Sequence, residues 1–191
     1  PLDLLEAPAD RAVEVGGLPQ ILVEALATQP AFPYVGPDRR QDRSVRVSVV
    51  VPAKNEALNI EHVLAKLPED IHQVILVDGR SEDDTVSIAQ RFRPEIQVLT
   101  QSGRGKGDAF RTGFAAVTGN VIVMLDADGS ADPAEIPRFV RALEEGADFA
   151  KGSRFLDGGG SADITPLRHA GNRFLSGTAN LLHDTHFTDL C

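Results

Sequence analysis

Two short runs do most to limit what this chain can become: Val47-Ser48-Val49-Val50-Val51 and Val121-Ile122-Val123-Met124-Leu125. Each is almost wholly apolar, rich in β-branched residues and too short for a typical helix. Such runs read as strands buried on both faces, as a parallel sheet requires. Weaker runs of the same kind complete a set of expected strands over 47–51, 73–77, 96–99, 121–125 and 149–151. Between and after them apolar residues return at helical spacing, which predicts helices over 57–67, 83–91, 106–117, 133–144 and 167–182. Strand and helix in alternation predict an α/β fold, a mainly parallel sheet flanked by helices. With 191 residues, 42% hydrophobic and 25% charged, there is material for a single domain with a real core.

Residues 1–44 read differently. Apolar spacing over 18–27 predicts a short helix, and 28–43 carries Pro30, Pro33 and Pro37 among Gly, Asp and Arg, as an extended connector does. The expected organisation is an N-terminal arm over 1–44 and a domain over 45–191. Sheets of this kind bind ligands beyond the carboxyl ends of their strands. There the sequence places Pro52 to Glu56, Asp78, Asp126 and Asp128, and Gly152 to Arg154.

Charge narrows the partners. A formal net charge of -9 argues against nucleic acid, which selects a basic face. From residue 151 onward Lys151, Arg154, Arg168 and Arg173 balance Asp157, Asp163, Asp184 and Asp189, so the acidic excess lies earlier. His169, His183 and His186 also fall in this last segment, which suits anion chemistry there. The single cysteine, Cys191, excludes an internal disulfide framework and fits a reducing compartment. No secretory signal and no membrane-length apolar run is legible. The expected location is cytoplasmic, with peripheral attachment at the cytoplasmic membrane face left open.

The strand over 121–125 ends in Asp126-Ala127-Asp128-Gly129. On a strand, residues i and i+2 face the same side, so two carboxylates can reach one hard cation that prefers oxygen. The plain alternative is an Asp-rich turn. Gly103-Arg104-Gly105-Lys106-Gly107 precedes a helix and offers exposed backbone N–H groups and a cation near its N-terminus, an anion site in outline or else a flexible basic loop. It lacks the spacing of a Walker P-loop and of a dinucleotide fingerprint. His183 and His186 sit at a helix end with Asp-Thr between them, a poor metal pair.

Taken in order, Val49-Val50-Val51-Pro52-Ala53-Lys54-Asn55-Glu56, Val77-Asp78-Gly79-Arg80-Ser81 through Asp83-Asp84-Thr85, Gly105-Lys106-Gly107 and Asp126-Ala127-Asp128-Gly129 resemble glycosyltransferase family 2. The likeness extends from about Val45 to the last residue, and within the family it is to the dolichyl- and polyprenyl-phosphate sugar synthases. It implies a GT-A fold, Rossmann-like, and a nucleotide sugar bound by Pro52, Ala53, Lys54, Glu56, Asp78, Lys106, Asp126, Ala127, Asp128 and Arg154. Asp78 would accept a base N–H, although the family often has two Asp in a row where this chain has Gly79 second. Asp126 and Asp128 would hold Mg²⁺ or Mn²⁺, with Asp128 the more direct ligand, and Arg154 of Gly152-Ser153-Arg154 would offer a donor fork to phosphate. Arg173 and Ser176 are the nearest matches for an acceptor-phosphate site on the last helix. Thr188-Asp189-Leu190-Cys191 looks like the start of a further family segment, so the C-terminal end reads as truncated.

The activity so implied is inverting transfer of a hexose from a UDP- or GDP-sugar to a polyprenyl phosphate at a membrane surface, by a monomer or a homodimer. Asp128, Arg154 and Asp189 are the catalytic candidates, Asp189 being the only base candidate among the matched motifs. A phosphate acceptor needs no strong base, because its second pKa is roughly 6. Three other readings stand beside it: a soluble acceptor, a sugar nucleotidyltransferase and a non-catalytic nucleotide-sugar module. The nucleotidyltransferase would need a Gly-rich loop where this chain has Pro-Ala-Lys-Asn-Glu.

Overall fold

The computed structural model describes residues 12–16, 21–25, 44–147, 149–153, 166–183 and 188. At its centre is a seven-stranded sheet. The strands are β1 (Ala12–Gly16), β2 (Ile21–Ala25), β3 (Val47–Ala53), β4 (Gln73–Asp78), β5 (Gln97–Thr100), β6 (Val121–Leu125) and β7 (Phe149–Ser153). The helices are α1 (Ile60–Ala65), α2 (Thr85–Phe92), α3 (Lys106–Phe114), α4 (Ile136–Glu144) and α5 (Pro166–His183), with a 3-10 turn at Pro133–Glu135 leading into α4. Spatial order is β1-β7-β2-β6-β3-β4-β5. Every strand runs the same way except β2, which is antiparallel to both neighbours. This is the expected mainly parallel α/β sheet.

The strands and helices expected from residue 47 onward all form, with ends moved by a few residues. Helix α1 starts three residues later than expected and α3 ends three residues earlier. Glu56 turns the chain first, its carbonyl accepting the amides of Asn59 and Ile60 at 2.9 Å each.

The continuous valine run of β3 has a simple cause. Strand residues alternate between faces, and here both faces are covered. Val47, Val49, Val51 and Ala53 join one core with Ile60, Val63 and Leu64 of α1, Ala89 of α2, and Ile136 and Phe139 of α4. Val50 joins the other, with Ile75, Val77, Ile122 and Ala109 of α3. Ser48 is the polar exception at 0% exposure, and it is satisfied: its hydroxyl donates to Gln73 Oε1 (2.8 Å) and accepts from the Gly119 amide (3.0 Å).

The helix expected over 18–27 is corrected. Residues 21–25 form β2, inserted between β6 and β7 with Ile21 opposite Leu125 and Glu24 opposite Phe149. β1 pairs in parallel with the other side of β7. Local apolar spacing over ten residues is a weak helix signal, whereas a strand between two others has all its backbone groups paired. The segment read as an arm therefore contributes two strands to the sheet.

Candidate functional site

A cleft of about 630 Å³ opens at the carboxyl ends of β3, β4 and β6, a size typical of small-molecule sites. Pro52, Ala53 and Lys54 line it from β3, and Val77, Gly79, Arg80 and Glu82 from β4 and beyond. Gln101, Gly103, Arg104 and Gly105 come from the segment between β5 and α3, Lys106 and Ala109 from α3, and Asp126 from the end of β6. Four cationic side chains, Lys54, Arg80, Arg104 and Lys106, against two acids, Glu82 and Asp126, make this a basic cleft in an acidic chain.

The loops after β3 and β4 are cross-linked by hydrogen bonds. The Asn55 amide donates to Ser81 Oγ (3.0 Å), and the Glu82 amide to Asn55 Oδ1 (2.8 Å). The Glu56 amide donates to Thr85 Oγ1 (2.8 Å) and the Ala57 amide to Asp83 Oδ2 (3.1 Å). The Thr85 hydroxyl, and less strongly the Ala57 and Thr85 amides, hold the Asp83 carboxyl below its ordinary range. The Gly79 amide donates to the Ala53 carbonyl at 2.8 Å. A Cβ at residue 79 would stand 3.1 Å from Lys54 Cβ and 3.3 Å from the Ala53 oxygen, so the close approach of the two loops favours a residue without a side chain.

The expected donor-binding residues divide. Pro52, Ala53, Lys54, Lys106 and Asp126 line the cleft. Asp78 does not line it. It lies behind Gly79 at 8% exposure, its Oδ1 accepting the Ser81 amide at 3.0 Å. Glu56 lies outside as well, its carboxylate accepting from Asn59 Nδ2 at 2.8 Å near the start of α1. Ala127 is packed in the core. Arg154 and Asp189 lie outside the described residues.

Lys106 Nζ meets both oxygens of Asp126, at 2.6 Å and 2.7 Å. Lys106 also lies 5.8 Å from the centroid of the Phe110 ring. Behind it, the Asp108 carboxylate accepts the Gly103 amide (2.7 Å) and pairs with Arg111 (2.5 Å), which holds the basic loop in place. Those bonds, the Gly103 amide first, keep the Asp108 carboxyl below its ordinary value.

Because β6 ends at Leu125, Asp126 to Gly129 form a turn and not the continued strand of the i, i+2 argument. Asp126 faces the cleft, while Asp128 is exposed and its Oδ1 accepts the Ser130 amide at 2.9 Å. Among the described residues no three acidic, His or Cys side chains cluster as a metal cage. Mg²⁺ needs none, since it binds through one or two carboxylates and completes its shell with phosphate oxygens and water. Asp126, with Asp128 two residues on, fits that requirement.

On α5, Arg173 is exposed and Ser176 is buried at 5% exposure, with no hydrogen-bond partner for its hydroxyl. Asn172, one turn earlier, donates to the Thr188 carbonyl at 3.1 Å, and Ser153 Oγ lies 2.6 Å from Thr188 Oγ1. These contacts bring the end of β7, α5 and residue 188 together. The opposite side of α5 exposes Phe174 (74%) and Leu181 (85%). No helix among the described residues is long and apolar enough to cross a membrane.

Sequence reasoning missed Arg80, Gln101 and Arg104. Arg80 and Arg104 sit inside quoted motifs and could have been flagged as the cations nearest Asp78 and Lys106. Gln101 carries no signal of its own.

Residues 48–189 match the family model described as Glycosyl transferase family 2. The chain is 37% identical over 108 residues to an uncharacterised glycosyltransferase of Mycobacterium bovis, covering 56% of this chain and 48% of that protein. It is 31% identical over 122 residues to a dolichol-phosphate mannosyltransferase of Pyrococcus furiosus, covering 60% of this chain and 35% of that protein. The aligned part is thus about half or less of the length of these curated relatives. Among solved structures, glucosyl-3-phosphoglycerate synthase of Mycobacterium tuberculosis, in complex with Mn²⁺, UDP and phosphoglyceric acid, superposes with a TM-score of 0.48 at 28% identity, covering 52% of this chain and 39% of that one.

Proposed function

The chain belongs to glycosyltransferase family 2, with the family's GT-A type of α/β sheet, and on that premise we propose that it transfers a hexose from a metal-bound UDP- or GDP-sugar to a polyprenyl phosphate, inverting the anomeric carbon. The observation that carries this reading is the Lys106–Asp126 pair inside the cleft, which sets a carboxylate for a divalent cation beside an ammonium for phosphate. Neighbouring strands stand about 4.8 Å apart, so the ends of β6 and β4, with β3 between them, are about 10 Å apart across the rim. A nucleoside diphosphate laid along that span has its diphosphate at Asp126 and Lys106 and its base at the β4 and β5 end.

Asp126 and Asp128 would hold Mg²⁺ or Mn²⁺, which would supply positive charge to stabilise the departing diphosphate. Lys106, Lys54 and Arg104 add cationic donors around the same oxygens, and Arg154 is the further candidate for that role. In the transfer, an oxygen of the acceptor phosphate bonds to the anomeric carbon. The bond from that carbon to the diphosphate oxygen breaks, and the nucleoside diphosphate leaves with the electron pair. The acceptor oxygen is already ionised near neutral pH, so the step does not depend on Asp189 as a strong base.

Two features of α5 support a lipid-linked phosphate acceptor. Ser176 keeps a buried hydroxyl without a partner, a donor in reserve for an anion, and Arg173 stands three residues before it on the same helix. The helix contains no Asp or Glu, and its outward Phe174 and Leu181 suit an apolar chain or a membrane surface. The mannosyltransferase relative, whose name specifies dolichol phosphate, agrees with this.

The test uses the full-length protein with UDP- and GDP-hexoses, Mn²⁺ or Mg²⁺, and a polyprenyl phosphate, following nucleoside diphosphate release and lipid-linked sugar. Lipid-linked product that falls at least tenfold in Ser176→Ala is the expected result. Transfer only to soluble phosphorylated acids would overturn the lipid acceptor. Tight nucleotide-sugar binding without turnover on any acceptor would leave a binding module.

A further inference from the structure

Gly105 opens α3 in a conformation that suits glycine alone, φ 81° and ψ 164°. A Cβ there would meet nothing within 4 Å, so glycine stands at this position for its backbone angles and not for room. A residue free to take these angles is equally free to leave them. What fixes the peptide between Gly105 and Lys106 is a pair of bonds on its carbonyl. The Ala109 amide donates to it at 3.2 Å, as the first bond of α3, and Gln101 Nε2 donates at 2.9 Å.

Gln101 is itself firmly placed. It follows β5, lines the cleft and is buried at 6% exposure. Its backbone amide donates to the Asp78 carbonyl at 2.9 Å, which ties it to the last residue of β4. Its side-chain amide also helps to keep the Asp108 carboxyl below its ordinary value, where the Gly103 amide acts most, Arg111 next and Gln101 last. With the NH₂ group turned to these acceptors, Oε1 faces the other way, where a Cβ at residue 79 would stand 3.4 Å from it. Arg80 braces the same segment from a left-handed backbone of φ 62°, its Nη2 donating to the Ser102 carbonyl at 3.0 Å.

Resting on the nucleotide reading above, we propose that Gln101 is a positioning residue for the donor's diphosphate and acts through Lys106. Lys106 follows Gly105 directly, and its Nζ stands 2.6 Å and 2.7 Å from the oxygens of Asp126 at the end of β6. A lysine ammonium rides on a flexible stem, so it is only as well placed as the backbone it leaves from. Gln101 fixes that backbone before a ligand arrives, and the cost of ordering it is not subtracted from binding. Without the Gln101 donor the Gly105–Lys106 peptide loses the shorter of its two bonds, and the ligand has to order the start of α3 itself.

The experiment is calorimetric titration of the full chain with UDP and GDP in the presence of Mn²⁺, with thermal unfolding alongside. Wild type, Gln101→Met, Lys106→Met and the double variant form a cycle. Affinity for the preferred diphosphate is expected to fall about three- to tenfold in Gln101→Met, the weight of one hydrogen bond. Added to Lys106→Met, the same change is expected to cost nothing further. Gly105→Ala disturbs the other end of the bond at an exposed residue with room for the methyl group, so it keeps the test decisive where Gln101→Met fails to fold. It is expected to give a similar loss that also vanishes in the Lys106→Met background. Hydrogen exchange at the Ala109 amide, without ligand, is expected to quicken several-fold in both variants. Unchanged affinity in both overturns the proposal, and so does unchanged protection of Ala109. A loss of equal size with and without Lys106 overturns it too, since Gln101 would then act on the ligand or on the cleft at large. A lowered unfolding midpoint with affinity intact would make Gln101 a structural brace only. If the wild type binds neither UDP nor GDP, the nucleotide reading falls and the proposal with it, whereas wild-type binding that both variants share in full leaves that reading standing.

Discussion

Asp108 does not line the cleft, yet the position of the cleft's basic loop depends on it. Its carboxylate accepts the Gly103 amide at 2.7 Å and holds Arg111 at 2.5 Å, and its neighbour Lys106 faces Asp126. The Lys106–Asp126 pair is itself partly solvated, Lys106 at 58% and Asp126 at 14% exposure, so it adds little to stability. Its value is positional, which makes the loop's anchor matter. A carboxyl held below its ordinary 3.8 binds fewer protons in the folded chain than in the unfolded one. Its contribution is therefore complete above that value and is lost as pH falls through the depressed one. Asp108→Asn removes the charge at every pH. Hydrogen exchange at the Gly103 amide is expected to quicken several-fold in that variant at neutral pH, with weaker nucleoside diphosphate binding. Equal protection in both proteins would show that the carboxylate does not hold the loop.

Helix α3 carries Lys106 and so must sit close to the sheet. Gly113 permits this: a Cβ there would come within 2.4 Å of Val50 Cγ1 and 3.1 Å of Val77 Cγ2. Gly113→Val is expected to destabilise the fold by about 1–3 kcal/mol, the usual cost of overpacking, as read from urea unfolding. It should also weaken nucleotide binding beyond that loss, because α3 is pushed away from β3 and β4 and takes Lys106 with it. Stability lost with affinity unchanged would separate the helix from the site. At this scale much was legible in the sequence. Apolar runs predicted β3 and β6 because burial on both faces leaves little choice of residue, and weaker runs predicted β4, β5 and β7. Loop geometry was not legible: Asp128 was expected beside Asp126 on a strand, but the strand stops at Leu125 and both acids sit in the turn that follows, Asp126 lining the cleft and Asp128 exposed beside it. Glu56 was assigned to the nucleotide, and the structure uses it to start α1. Arg80 was quoted within a motif and passed over, since a left-handed backbone is a property of the folded turn.

For the whole molecule, the least expected feature is the sheet's composition in sequence terms. The proposed nucleotide-sugar rim needs β6 and β7 held in one sheet, because Asp126 follows one strand and Gly152-Ser153 ends the other. Those two strands do not pair with each other, and β2 bridges them by antiparallel pairing on both sides. No local pattern announces this, since a five-residue strand that joins strands a hundred residues later depends on partners its own sequence does not mention. The reading of 1–44 as an arm outside the domain then becomes testable. Removing residues 1–44 takes away β1 and β2 and leaves β6 and β7 with unpaired edges, which invite association between chains. The shortened chain is expected to unfold at a lower temperature and over a broader transition, and to aggregate on size-exclusion chromatography. Nucleotide affinity should fall with it, because Asp126 sits at the end of the strand that has lost a neighbour. A shortened chain that stays monomeric, unfolds as sharply as the full chain and binds nucleoside diphosphate equally well would return the segment to the status of an arm and confine the functional domain to 45–191.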